Sequence, residues 1–182
     1  YCAFYQCFYL TNIHITDIAA WCRIQRESSS NGYYMNPFQV PYHLYLNDDE
    51  IKDLVIPDGV EVIGYSAFSG CSALTSVSIP NSVTNIGEDA FAGCVGLTSV
   101  TLGNNVASIG HKAFSGCSGL TSITIPASVT NIGYSAFANC IGLTFVHISD
   151  LGAWCKIEGA GSGSNPLEYA HHLYLNGEEI KN

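Results

Sequence analysis

Phe68, Phe91, Phe114 and Phe137 stand 23 residues apart, and so do Cys71, Cys94, Cys117 and Cys140. Leu74, Leu97, Leu120 and Leu143 keep the same interval, and Ile63-Gly64 returns as Ile86-Gly87, Ile109-Gly110 and Ile132-Gly133. A chain with so short a period cannot gather its core from distant segments. Each unit must bury its apolar side chains against the unit before and the unit after, which makes the architecture a stack of coils.

One unit reads as follows. Leu74-Thr75-Ser76-Val77-Ser78-Ile79 alternates apolar and polar residues at its end, the pattern of a strand with one buried face. Pro80 stops it, because proline has no N–H to give a ladder. Asn81-Ser82 turns the chain, Val83 and Ile86 point inward again, and Gly87 permits a tight bend. Ala90, Phe91 and Cys94 then suit a short helical or 3₁₀ turn on the outer side. The apolar side chains of one coil are too few to offset the entropy of ordering it, so a single coil cannot fold alone.

The ends keep the register. Ala3, Phe4, Cys7, Leu10, Ile13 and Ile15 match Ala67, Phe68, Cys71, Leu74, Val77 and Ile79, and Ile51, Leu54 and Ile56 match Leu74, Val77 and Ile79. A longer repeat overlies the short one. Ile13-His14-Ile15-Thr16-Asp17 with Trp21-Cys22-Arg23-Ile24 returns as Val146-His147-Ile148-Ser149-Asp150 with Trp154-Cys155-Lys156-Ile157. Asn36-Pro37-Phe38 and His43-Leu44-Tyr45-Leu46-Asn47 return as Asn165-Pro166-Leu167 and His172-Leu173-Tyr174-Leu175-Asn176. Asp17 and Asp150 suit N-caps of short helices that carry the tryptophans. Asn176-Gly177 suits a hairpin turn, and 28–32 and 159–164 are matching Gly/Ser-rich loops. The expected organisation is one solenoid segment over 1–182: a partial repeat at 1–15, an irregular insert at 16–50, regular coils at 51–148 and a second insert at 149–182.

The L-x-x-L-x-L spacing is that of a leucine-rich repeat. Ile79-Pro80-Asn81-Ser82-Val83-Thr84-Asn85-Ile86-Gly87, followed by Ala90-Phe91-Ala92-Gly93-Cys94 and Leu97-Thr98-Ser99-Val100, resembles the BspA-type leucine-rich repeat. The Trp-Cys and Leu-Tyr-Leu-Asn units resemble inserts common in that family. Leu102-Gly103 departs from the pattern, standing where Ile-Pro is usual. The resemblance implies an α/β repeat fold: a right-handed solenoid with a curved, mainly parallel sheet on its concave side, and short strands, turns and single helical turns outside. It also implies a large secreted or surface-attached protein of mucosal microbes. Several members are adhesins for host matrix proteins or other microbes, and the family has no catalytic residues to carry over.

Between the buried strand positions, side chains must face outward. One row is Asn12, Asp53, Ser76, Ser99, Ser122 and Phe145. The other is His14, Val55, Ser78, Thr101, Thr124 and His147, and Thr11, Thr75, Thr98, Thr121 and Thr144 flank both. On the concave side of a solenoid, these rows are the candidate binding surface. The inserts add a second source of contacts in Tyr33, Tyr34, Tyr42, Tyr45, Tyr169 and Tyr174. Five cysteines, Cys7 among them, share one repeat position, where parallel inward thiols are badly oriented for disulfides and are expected to stay reduced. Cys22 and Cys155 are expected in small cores of the inserts, and Cys2 at the surface.

Net charge is −9 with only six Lys plus Arg and no basic cluster, which argues against nucleic acid and anionic membranes as partners. No stretch approaches the roughly 18 consecutive apolar residues of a membrane span. The start, Tyr1-Cys2-Ala3-Phe4, has no basic region and no Met, so the sequence reads as a segment cut from a longer chain. His14, His43, His147, His171 and His172 form no metal motif, and Asp48-Asp49 and Glu178-Glu179 read as solvated charge at hairpin turns. No nucleophile elbow or phosphate-binding glycine loop occurs, so no cofactor and no enzyme activity are expected. The function expected is an extracellular adhesin that grips a host or microbial surface protein or glycan. The alternative is a structural spacer that displays other domains. Cut coils at the two ends are expected to favour end-to-end association of the isolated segment.

Overall fold

The computed structural model describes residues 10–23, 42–159 and 161–181. The expectations placed on Cys2, Ala3, Phe4, Cys7, Ile24, the loop 28–32, Tyr33, Tyr34 and 36–38 lie outside them. The chain is a parallel-sheet solenoid of about five turns with little helix.

Three ladders of backbone hydrogen bonds run along the stack. The first joins the long strands in three groups. Asn12–Ile15 pairs parallel with His43–Leu46, which carries the antiparallel Asp49–Glu50. Asp53–Val55, Ser76–Ser78 and Ser99–Thr101 follow in register one coil apart. Ser122–Ile125, Phe145–Ile148 and His172–Leu175 form the last group, edged by the antiparallel Glu178–Glu179. The second ladder is a five-stranded parallel sheet of two-residue strands: Val62–Ile63, Asn85–Ile86, Ser108–Ile109, Asn131–Ile132 and Glu158–Gly159.

The third ladder replaces the expected helical turn. The Phe91 amide donates to the Ala113 carbonyl at 2.8 Å, and Phe68, Phe114 and Phe137 donate at the same distance to Ala90, Ala136 and Gly163. Asp89 (φ 54°) and Gly93 (φ 73°) are left-handed, as are Ser66, Lys112 and Ser135, so the segment is a chain of turns and not a helix. The amides of Asp89, Phe91 and Gly93 point along the stack, where the next coil accepts them. Those of Ala90, Ala92 and Cys94 close tight turns onto Gly87, Asp89 and Phe91 of the same coil. Gly87 opens the turn expected of it, its carbonyl accepting from the Ala90 amide at 3.3 Å, and it has a further role. A Cβ there would lie 2.7 Å from the Ile63 carbonyl oxygen, so the residue is small to let two coils approach.

Phe68, Phe91, Phe114 and Phe137 are fully buried and stack ring on ring at 5.3, 5.4 and 5.6 Å. Beside them the buried cysteines are free thiols. Cys94, Cys117 and Cys140 each donate from Sγ to the carbonyl of Phe68, Phe91 or Phe114, at 3.1, 3.2 and 3.1 Å.

The irregular coils carry the only α-helical turns among the described residues, α1 (Ile18–Cys22) and α2 (Leu151–Trp154). Asp17 Oδ1 accepts from the Ala20 amide at 3.0 Å and Asp150 Oδ1 from the Ala153 amide at 2.9 Å, so both act as N-caps. The two copies then diverge. Trp21 and Cys22 are buried, whereas Trp154 is half-buried and Cys155 is exposed, contrary to the small core expected around it. Each irregular coil ends in a hairpin whose central residues are both left-handed: Asn47 (φ 50°) and Asp48 (φ 73°), then Asn176 (φ 51°) and Gly177 (φ 87°).

Candidate functional site

The period of two in each long strand decides which side chains face solvent. Leu54, Val77, Val100, Ile123 and Val146 are buried, and the residues between them face out. Register then sets the rows. Asp53, Ser76 and Ser99 are aligned, and so are Val55, Ser78 and Thr101. Ser122, Phe145 and His172 form the next aligned set, with Thr124, His147 and Tyr174 beside them. Asn12 pairs with His43 and His14 with Tyr45. All eleven candidate residues thus lie on outward strand positions, distributed over three hydrogen-bonded groups.

His43, Tyr45, His172 and Tyr174 also belong to these rows, although the rows read from the sequence did not include them. The signal that could have found them is the alternation in His43-Leu44-Tyr45-Leu46 and His172-Leu173-Tyr174-Leu175, which is the strand pattern itself. Tyr42 is fully buried and is not a surface contact.

The polar groups divide into engaged and open ones. Thr98 donates to the Thr75 carbonyl at 3.1 Å and Thr144 to Gly142 at 3.2 Å, so both spend their protons on the backbone. The one hydroxyl proton of Thr75 is shared between the Lys52 carbonyl at 3.1 Å and the Asp53 carboxyl. Ser76 donates to Asp53 Oδ1 at 2.5 Å and Thr75 also reaches it at 3.1 Å. The Ser76 bond, and then the Thr75 bond, hold the Asp53 carboxyl below the usual carboxylate range. The hydroxyls of Ser78, Ser99, Thr101, Ser122 and Thr124 have no protein partner among the described residues.

Rings gather at both irregular coils. His14 stacks on Tyr45 with centroids 4.6 Å apart and planes 7° from parallel, and its Nδ1 lies 2.9 Å from Asp48 Oδ1. His43 pairs with Glu50. In the second copy His147 and Tyr174 lie 5.0 Å apart, Phe145 meets His172 at 5.6 Å, and His172 pairs with Glu179 at 2.5 Å. Among the described residues no three His, Cys, Asp or Glu side chains are placed to hold a metal ion, and no helix is long and apolar enough to cross a membrane.

The BspA-type leucine-rich-repeat region matches six times over residues 39–153, well over half of the chain. The chain belongs to the BspA-type leucine-rich-repeat family. A leucine-rich cell surface protein of Faecalibacterium prausnitzii is similar at 31% identity over 65% of this chain, with a TM-score of 0.50. A leucine-rich-repeat protein of T. pallidum is similar at 35% identity over 62% of this chain, with a TM-score of 0.56. The BspA-type segment spans 38% of the first of these chains and 53% of the second. No curated protein matches. Family membership accounts for the 23-residue coils and is consistent with a protein-interaction module. It does not say what the exposed rows hold.

Proposed function

We propose that this chain is a non-catalytic extracellular interaction module, an adhesin segment that holds a host or microbial surface protein or glycan on its long-strand face. The observation that carries this reading is the set of open hydroxyls at Ser78, Ser99, Thr101, Ser122 and Thr124, repeated at the coil spacing on an exposed sheet. Folding has satisfied Thr75, Thr98, Thr144 and Asp53 but has left these donors for a partner. The similarity to a bacterial cell surface protein supports the location.

The test is binding of the purified chain to an array of extracellular-matrix proteins and glycans, beside a Ser99→Glu/Thr101→Lys variant. The expected result is a partner that the variant loses while its circular-dichroism spectrum stays the same. A partner bound equally by both moves the site off these rows. Silence from both favours a spacer, a reading that has its own support in the unbroken phenylalanine stack from Phe68 to Phe137.

A further inference from the structure

The regular coils place short side chains at the outward strand positions: Ser76 and Ser78, Ser99 and Thr101, Ser122 and Thr124. At the next strand the register sets Phe145 beside Ser122 and His147 beside Thr124. The surface therefore rises from hydroxyl groups to rings within one strand spacing, about 4.8 Å. The result is a step, with Phe145 and His147 as its wall and the open hydroxyls of Ser122 and Thr124 as its floor.

The wall is braced from behind. Tyr174 lies 5.0 Å from His147 and 6.0 Å, edge-on, from Phe145, and His172 lies 5.6 Å from Phe145. Phe145 stays 37% exposed. Folding does not demand rings here, because the preceding coils fold with Ser and Thr at the equivalent positions. The first irregular coil nevertheless repeats the choice, with His14 against Tyr45 and His43 held by Glu50.

We propose that the step formed by Phe145 and His147 over Ser122 and Thr124 is a subsite for a neutral pyranose ring of a glycan. This deepens the binding-module reading and rests on it. A pyranose has an apolar C–H face, which an aromatic wall accepts, and a rim of hydroxyls, which the serine and threonine floor can meet. Charge selects the neutral class. Neither row contains Lys or Arg, and the chain carries −9, so sialylated or sulfated sugars meet no fixed cation at the step and an unfavourable overall charge. A cationic peptide would need a free carboxylate at the step, but that of Glu179 is engaged by His172 and the floor has none.

The test is saturation-transfer NMR on the whole chain with lacto-N-tetraose, chitotriose and mannotriose as neutral probes, and with sialyllactose and hexalysine as charged ones. The variant is Phe145→Ser/His147→Thr, which installs the residues that the regular coils already carry and so preserves the fold. At least one neutral probe is expected to show transfer from the aromatic protons, with affinity falling about tenfold or more in the variant, a loss of one good contact's worth. No transfer to any neutral probe, equal binding by the variant, or preference for sialyllactose or hexalysine overturns the subsite. Capture of a protein partner that is sensitive to Ser99 and Thr101 leaves the broader reading standing in each of those cases.

Discussion

The indole Nε1 of Trp21 donates to the carbonyl oxygen of Ala67 at 2.7 Å, so a buried side chain of the first irregular coil is fastened to the backbone of a regular one. Trp21→Phe keeps most of the apolar contact and removes the donor. The loss should be about 1–3 kcal/mol, the cost of leaving a buried acceptor unmatched, read as a lower urea midpoint. Trp154→Phe, at a half-buried site, should cost less.

Gly103 stands where Pro57, Pro80 and Pro126 begin the same turn, and it keeps the turn bond: the Val106 amide donates to the Gly103 carbonyl at 3.2 Å, as Val83 does to Pro80 at 3.1 Å. Restoring the family residue would nevertheless be harmful. A Cβ at this position would meet the Pro80 carbonyl oxygen at 2.3 Å, so the two coils must separate to admit it. Gly103→Pro is expected to destabilise by about 1–3 kcal/mol, the usual range for overpacking. A raised melting temperature would refute the close approach.

Burial pushes the thiols of Cys22 and Cys140 up to about 12, and those of Cys94 and Cys117 above the ordinary thiol range as well. The folded chain therefore keeps its thiol protons after the unfolded chain, whose thiols titrate near about 8.5, has begun to lose them. Stability from this source is complete below that value and declines as pH rises toward the folded values. Melting temperature should fall from about pH 9 upward, and Cys117→Ala should flatten the fall. At pH near 8, alkylation read by peptide mass mapping should mark exposed Cys155 and spare Cys94, Cys117 and Cys140.

Asp53 is shifted the other way, down, first by Ser76 and then by Thr75. Its bonds favour the carboxylate in the folded chain, so their contribution is present above the ordinary aspartate range and lost as pH falls through the lowered value. Carbon-detected NMR titration should find Asp53 below about 3.9, and Ser76→Ala should return it toward that reference. An unchanged titration in the variant would show that the serine does not govern the carboxyl.

The regular coils were legible because each inward position repeats its residue: Phe91 and Phe114 occupy the same slot, and a slot that must be filled identically is visible as a period. The turn ladder was not, because backbone amides make it. Left-handed Ser66, Asp89, Lys112 and Ser135 share no side-chain chemistry, and nothing in Ala90-Phe91 says that a residue with positive φ precedes it. The candidate rows were visible where the strands recur at one interval. His43, Tyr45, His172 and Tyr174 fell outside because the irregular coils change the interval, so pairing with Asn12, His14, Phe145 and His147 follows from sheet register and not from sequence distance.

The regular coils bond to one another by the same donors and acceptors at each step: Phe68 to Ala90, Phe91 to Ala113, Phe114 to Ala136. A unit of that kind is a gauge block. Removing one whole period between Ile51 and Ile148 would rejoin matching donors to matching acceptors and bring the two imidazole clusters closer by about 4.8 Å, while adding one would part them by the same amount. Spacing between the clusters is thus inherited as a whole number of coils, adjustable without redesigning a single contact.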